Sequence, residues 1–188
     1  NNISISRPFG SIDCKYTIDP TLTLFPSSSR GTRIRSNVKL RTNVGTINAD
    51  LTLMCGAKEN TSTTLPRATL DISSKMGTVD VTLRRPSASS FNLPIIRLFA
   101  SSRTGSLSIL IPTNFQGFMV AHTKLGRLTL SSSVQSSAVV LREDMKLKRV
   151  FIGDPVVMGD SRWKGDGIVL RTIMGSIEVG YADEENVG

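Results

Sequence analysis

Apolar and polar residues alternate through most of the chain, and five stretches share one plan around a glycine. Each has an alternating segment, a short polar link that ends in the glycine, and a second alternating segment. The stretches are residues 38–53, 70–83, 96–111, 118–130 and 168–181, with Gly45, Gly77, Gly105, Gly126 and Gly175. Because side chains alternate across a β-strand, each stretch predicts two strands joined by a corner.

In four of the five stretches, those with Gly45, Gly77, Gly105 and Gly175, the apolar positions change from even to odd residue numbers at the glycine. The change falls between Ile72 and Val79 in one stretch and between Leu170 and Ile177 in another. A corner that reverses the inward parity needs a positive φ or a close backbone approach, which glycine allows because it has no Cβ. The five glycines are therefore predicted to be structural corners.

Two arrangements produce this pattern. The units are either β-hairpins in a sandwich or meander, or coils of a β-solenoid with the next coil stacked below. Hairpin turns favour Asn-Gly or Asp-Gly. The residues before the five glycines are instead Val44, Met76, Thr104, Leu125 and Met174, and the four apolar ones are expected to pack inward. We therefore predict an all-β, β-helix-like stack of short strands, with the hairpin sandwich as the alternative.

Length and composition indicate one domain over residues 1–188. Residues 1–32 are expected to form an N-terminal edge or cap, 33–183 the repeat body and 184–188 a tail. The segments 56–66 and 84–94 are predicted loops because they are polar and carry proline. Between the fourth and fifth units, strands are predicted at 139–141 and 147–152.

Bulk properties narrow the possible partners and the compartment only slightly. Lys and Arg exceed Asp and Glu by 23 to 15, a formal net charge of +8, which favours anionic partners. Cys14 and Cys55 form either one disulfide or two free thiols. No membrane span or signal peptide is recognised, and Asn2 and Asn60 begin glycosylation triplets. A cell-surface, secreted or cytoplasmic location is equally open, and so is the oligomeric state.

A basic strand face is the first candidate site. Arg33, Arg35, Lys39 and Arg41 share one parity, opposite the apolar Ile34, Val38 and Leu40. Side chains of one parity point to one side of a strand, so these four cations are expected to face outward together. The face either binds an anionic polymer or is a solvated surface whose aliphatic stems cover apolar area.

Three Gly-Asp pairs at six-residue intervals form the second candidate. Their carboxylates belong to Asp154, Asp160 and Asp166. Gly and Asp are common in turns, so a turn-rich segment explains them. A calcium site is the alternative, although the spacing differs from the nonapeptide repeat of calcium-binding β-rolls.

His122 is the chain's one histidine. It is expected on the inward face of its strand with Phe118 and Val120, at the corner position that Thr42 and Thr172 fill in other units. A histidine without a placed acid or nucleophile seldom forms a catalytic site.

The units, of the type v-x-v-x-T-x-x-G-x-I-x-v, and the final WKGDGIVLRTIMGSIEVGYADEE resemble the putative-adhesin domains of bacteria. They resemble even more their fungal counterparts of uncharacterised function. The resemblance covers residues 33–183, and Arg127 departs from the Ser or Thr of the other units. It implies a β-solenoid and an adhesin-like role, and it carries over no catalytic residue.

The sequence thus predicts a non-catalytic interaction or structural module without a cofactor. The predicted partner is an anionic polysaccharide or a cell-surface component. The alternative is a carbohydrate-active lyase- or hydrolase-like β-helix protein, with Asp154, Asp160 and Asp166 as its acids and Trp163 and Tyr181 as sugar-stacking rings. A nucleic-acid partner is disfavoured because the basic positions lack interleaved aromatic residues.

Overall fold

The computed structural model describes residues 2–22, 36–54, 65–86, 93–159 and 164–183. Fourteen strands are found there, with one short α-helix and one 3-10 helix. In chain order they are β1 (Ile3–Phe9), β2 (Ile12–Ile18), β3 (Val38–Val44), β4 (Ile47–Leu53), β5 (Arg67–Met76), β6 (Val79–Arg84), β7 (Ile95–Thr104), β8 (Leu107–Ile111), β9 (Gly117–Leu125), β10 (Leu128–Leu130), α1 (Ser132–Ser136), β11 (Ala138–Glu143), β12 (Leu147–Ile152), the 3-10 helix (Pro155–Gly159), β13 (Asp166–Met174) and β14 (Ile177–Tyr181). None of the helices in these ranges is long and apolar enough to cross a membrane.

The strands form two sheets, and the predicted all-β stack of short strands is confirmed. The first sheet has the order β1-β3-β5-β7-β13-β9-β12-β11, and the second has the order β10-β14-β8-β6-β4-β2. Neighbours are parallel except for the β9-β12 and β12-β11 pairs. The two strands of each unit lie in different sheets, so each glycine carries the chain from one sheet to the other rather than into a hairpin.

Aliphatic side chains fill the space between the sheets in rows that cross the strands. One row of the first sheet joins Leu40, Ile72, Ala100, Leu170 and Ala121, all of them buried. Equivalent residues stack because the parallel strands are paired in register. Each fully buried Leu or Ile contributes roughly 1.5–3 kcal/mol relative to an exposed one, so the rows hold the layers at a fixed offset.

The units do not stack in chain order. The C-terminal unit, β13 with β14, lies between the β7–β8 unit and the β9–β10 unit. The intervening chain forms α1 and the β11–β12 hairpin, which extends the first sheet beyond β9. This excursion accounts for the 49 residues between Gly126 and Gly175. The expected strands at 139–141 and 147–152 lie within β11 and β12.

The expectation that the apolar residues before the glycines pack inward is wrong. Val44, Met76, Leu125 and Met174 are all exposed. They have the parity of the core residues, but they lie past the last buried position of their strands, where the chain has begun to turn. Phe9, before Gly10, belongs to the same row through its pairing with Val44.

Candidate functional site

The glycine corners set the register of the candidate site. Gly45, Gly77, Gly105, Gly126 and Gly175 have φ between +140° and +157°. A Cβ on Gly77 would lie 2.2 Å from the carbonyl oxygen of Gly45, so the corners stack too closely for a side chain. Gly10, with φ of +92°, is a sixth corner that the sequence analysis did not single out.

A row of buried hydroxyl groups satisfies the corner carbonyls. The residue three positions before a glycine donates its hydroxyl to the glycine carbonyl of the neighbouring layer, as Ser102 does to Gly77 at 2.8 Å. The other donors are Thr42, Ser74, Thr123 and Thr172, at 3.0–3.2 Å. A buried carbonyl without a partner costs about 1–3 kcal/mol, so this row explains the Thr or Ser of the repeated pattern.

The outward positions two and four residues before the glycines line up across the first sheet. Together with the ends of β1 and β12 they enclose an open groove of about 1050 Å³. Its floor carries small polar residues, Ser6, Asn43, Ser73 and Ser101. The in-register pairing of the parallel strands thus places residues that are distant in sequence side by side.

Six consecutive strands each bring one cation to this groove, which we call the cationic groove. In spatial order along the sheet these are Arg7, Arg41, Lys75, Arg103, Arg171 and Lys124, on β1, β3, β5, β7, β13 and β9. All six are exposed. Adjacent strands are about 4.8 Å apart, so the row spans about 24 Å.

Few carboxylates oppose these charges. Arg41 donates to Asp71 at 2.9 Å, and Arg7 donates to the carbonyl of Ser11 at 2.9 Å. Lys75, Arg103, Lys124 and Arg171 form no ion pair with any carboxylate in the described ranges. No Asp or Glu is among the groove's lining residues. Of the six cations, Arg41 is therefore paired with a carboxylate, and the positive charge of the other five is not balanced by an ion pair within the described ranges.

The basic face predicted along one strand is only partly within this site. Lys39 and Arg41 lie on the outer side of β3, on either side of the buried Leu40. Arg41 lines the groove and Lys39 does not, while Arg33 and Arg35 lie outside the described residues. The cations converge across strands rather than along one.

The inward placement of His122 is wrong. The buried residues of β9 are Met119, Ala121 and Thr123, and Thr123 aligns with Thr172. His122 points to the outer face with Phe118 and Val120, pairs with Arg171 in the ladder, and lines one end of the groove. The parity was inferred from the apolar Phe118 and Val120, which lie half-buried on this outer face, where the ring of Phe118 contacts that of Phe151 on β12 at 5.2 Å between centroids.

The two candidate carboxylates that the structure describes, Asp154 and Asp166, have separate surroundings. Asp154 is exposed and accepts a hydrogen bond from the amide of Val156 at 2.9 Å, as a turn residue does. Asp166 is buried and accepts from the guanidinium of Arg85 at 3.1 Å and from the amides of Ile96 and Gln116. Asp160 lies outside the described ranges. Within those ranges no three His, Cys, Asp or Glu residues are grouped to hold a metal ion.

Asp71, Asp80, Tyr181 and Cys14 are not among the residues that line the groove. Asp71 and Asp80 are on different sheets, so they do not face each other across one cleft. Tyr181 is buried and its hydroxyl contacts that of Ser137 at 2.5 Å, a structural role. Cys14 is a half-buried free thiol in the described part of the chain, and burial raises its pKa, followed by the charge of Asp13. Cys55, Asn60 and Trp163 lie outside that part.

Lys75, Arg103, Lys124 and Arg171 were missed because the sequence was read along one strand at a time. An alignment of the units on their glycines contains the signal. Two residues before Gly77, Gly105 and Gly126 stand Lys75, Arg103 and Lys124, and four before Gly45 and Gly175 stand Arg41 and Arg171. Arg7 lies three before Gly10, a glycine outside the five units.

Comparisons with known proteins add a family and a structural neighbour. The model of a family described as "Domain of unknown function (DUF7330)" matches residues 1–184. No curated protein matches. A crystal structure of a "putative cell adhesion protein" from Clostridium sporogenes ATCC 15579 is 13% identical, with a TM-score of 0.43. The match covers 76% of this chain and 53% of that one, so this chain spans about half the length of its neighbour. The fungal affinity of the sequence pattern stays a prediction.

Proposed function

This chain belongs to the family described as Domain of unknown function (DUF7330), and we propose that it is a non-catalytic, adhesin-like module that binds an anionic polymer. The cationic groove is the proposed binding site. The observation that carries the proposal is one exposed cation on each of six consecutive strands, in a groove whose lining residues include no carboxylate.

A linear polyanion fits this arrangement because the charges themselves are linear. Two like charges about 6 Å apart repel by somewhat less than 1 kcal/mol in water. A polymer with a negative group on most of its units relieves several of these repulsions at once. It also releases counterions, so we expect binding that weakens steeply with salt.

An acidic polysaccharide suits the groove better than a nucleic acid does. The floor offers hydroxyl and amide groups, which pair with sugar hydroxyls, through Ser6, Asn43, Ser73 and Ser101. Single-stranded nucleic acids are usually held by aromatic rings on which their bases stack, and the lining includes no Phe, Tyr or Trp. The proposed ligand is therefore a sulfated or uronic polysaccharide.

The non-catalytic part of the proposal rests on the groove's chemistry. Glycoside hydrolysis commonly needs two carboxylates facing each other across the scissile bond, and the lining residues provide none. His122 is the remaining candidate for a general base, at one end of the groove. The test below therefore follows cleavage as well as binding.

The test measures binding to immobilised heparin and to polygalacturonate at low and high salt. Replacing Lys75, Arg103 and Lys124 together by Gln should weaken binding at least about tenfold, since each lost contact removes a share of the electrostatic attraction. The matched control replaces three exposed cations elsewhere, Lys15→Gln, Arg67→Gln and Lys164→Gln, with the same change in net charge.

The control variant should retain binding close to that of the unaltered chain. Equal losses in the two variants would show that only net charge matters, and the groove would not be the site. Absence of binding at low salt would refute the proposal altogether. Appearance of new reducing ends or unsaturated uronate products would refute its non-catalytic part and favour the carbohydrate-active alternative.

A further inference from the structure

A straight row of exposed apolar side chains runs along the edge of the stack, beside the cationic groove. We call it the apolar ridge. Its members stand immediately before the corner glycines and are aligned by the strand pairing: Phe9, Val44, Met76, Met174 and Leu125, with Thr104 between Met76 and Met174. Phe9, Met76 and Leu125 are 75%, 56% and 66% exposed. Six layers at about 4.8 Å give a ridge about 24 Å long.

The ridge is an unusual surface for a protein. Single exposed apolar residues are normal, but contiguous exposed patches mark interaction sites. Its members add nothing to the core, because the buried rows end at the hydroxyl row two residues earlier in each strand.

Charge is distributed unevenly around the ridge. On the side of the first sheet, Lys75, Arg103 and Lys124 each precede a ridge-row residue. On the side of the second sheet, Asp80 and Glu178 lie three residues beyond the corner glycines and point outward. The ridge therefore has a positive flank on the groove side and, on the other, an acidic flank of Asp80 and Glu178 that also holds the exposed Arg127, directly after Gly126.

This asymmetry identifies the kind of partner. A second copy of the chain packed ridge to ridge would bring together two molecules that each carry a net charge of +8 and therefore repel. The ridge is also a projecting edge rather than a hollow, so it does not cradle a peptide. An anionic lipid surface accepts apolar side chains at the boundary of headgroups and acyl chains, and its phosphates attract nearby Lys and Arg.

We propose that the apolar ridge inserts into the surface of an anionic lipid membrane, with the positive flank turned toward the headgroups. The acidic flank then faces away, so the charges orient the molecule with the outer side of its first sheet inclined to the membrane. Insertion of the ridge is distinct from polymer binding in the groove, although both use Lys75, Arg103 and Lys124.

Vesicle sedimentation tests the proposal. The unaltered chain should sediment with vesicles of equal parts phosphatidylcholine and phosphatidylglycerol and stay in solution with phosphatidylcholine alone. Replacing Met76 and Leu125 by Ser should weaken vesicle binding at least about tenfold, since each side chain loses apolar burial. The matched control is Met54→Ser with Leu65→Ser, two exposed apolar residues at the opposite edge of the stack, and it should bind as the unaltered chain does.

Heparin binding separates the ridge from the groove. The Met76 and Leu125 variant should keep it, whereas the Lys75, Arg103 and Lys124 variant should lose both heparin and vesicle binding. The proposal is overturned if the unaltered chain ignores the anionic vesicles, or if the ridge variant binds them undiminished. It is equally overturned if sedimentation velocity shows that the ridge substitutions split a dimer, because the ridge would then be an interface between two copies.

Discussion

Replacing Asp166 by Asn removes a buried negative charge while keeping the size of the side chain. The carboxylate of Asp166 is 4% exposed and accepts from the guanidinium of Arg85, itself 5% exposed, at 3.1 Å and 3.3 Å. It also accepts from the amides of Ile96 at 2.8 Å and Gln116 at 3.0 Å. The carboxylate therefore joins the start of β13 to the start of β7 and to the segment before β9.

Asparagine can accept hydrogen bonds through its carbonyl oxygen. Its NH2 group, however, replaces a carboxylate oxygen and faces N–H donors to which it cannot bond. Arg85 then stays buried without its counter-charge. Breaking a buried pair in this way costs about 3–5 kcal/mol, a large part of the 5–15 kcal/mol that stabilises a typical domain. We expect the free energy of unfolding to fall by that amount.

Urea denaturation followed by circular dichroism measures the change through the midpoint and slope. Asp50→Asn is the matched control, because Asp50 pairs with the exposed Lys15 at 3.3 Å and with Arg84 at 3.2 Å. Partly exposed pairs contribute about 1 kcal/mol or less each, so its loss should be much smaller.

A double-mutant cycle with Arg85→Gln completes the test. The sum of the two single losses in the free energy of unfolding should exceed the loss in the double variant, because each single change leaves a buried partner unsatisfied. If Asp166→Asn costs no more than Asp50→Asn, or if the two substitutions are additive, then the buried pair is not what holds these three strands together.

Two further predictions concern a corner and a pH dependence. Gly77→Ala places a Cβ 2.2 Å from the carbonyl oxygen of Gly45, whereas a Cβ on Gly10 meets nothing within 4 Å. Because both glycines have positive φ, any difference between the two variants reports the close stacking, and Gly77→Ala should lower the melting temperature clearly more than Gly10→Ala. Equal losses would refute the close-stacking explanation. Burial raises the pKa of Asp80 above its ordinary 3.8, partly offset by a hydrogen bond from Thr78. The folded state thus binds this proton more tightly, so Asp80 lowers stability as pH rises from 3.8 through its folded pKa. Asp80→Asn should remove that decline and slightly raise the melting temperature at neutral pH; an unchanged pH profile would contradict this.

The sequence reveals the layers of this fold but not their order. Alternation and the parity change at Gly45, Gly77 and Gly105 correctly indicate strands that pass between two sheets. The insertion of β13 beside β7 is not encoded in any local pattern, because every unit presents the same aliphatic row, hydroxyl and glycine to its neighbours. Several stacking orders therefore satisfy the same periodicity.

The candidate site is less accessible to sequence reasoning than the fold. Arg33, Arg35, Lys39 and Arg41 attract notice because they are close in the chain, yet the groove combines residues from six strands. Arg85 was assigned to a polar loop, and its partner Asp166 lies 81 residues away. Such a pair is visible only after the layers have been placed.

The hydroxyl row that donates to the corner carbonyls separates architecture from chemistry within each strand. In β3, β5, β7, β9 and β13 the hydroxyl group three residues before the glycine bonds to the next layer. The side chains two and four residues before the glycine lie on the outer face, where Arg41 pairs with Asp71. Their charges can be exchanged one layer at a time at a constant pitch of about 4.8 Å. The series of charges that a ligand meets along this edge can therefore be changed by substitution without altering the residues that hold the fold together.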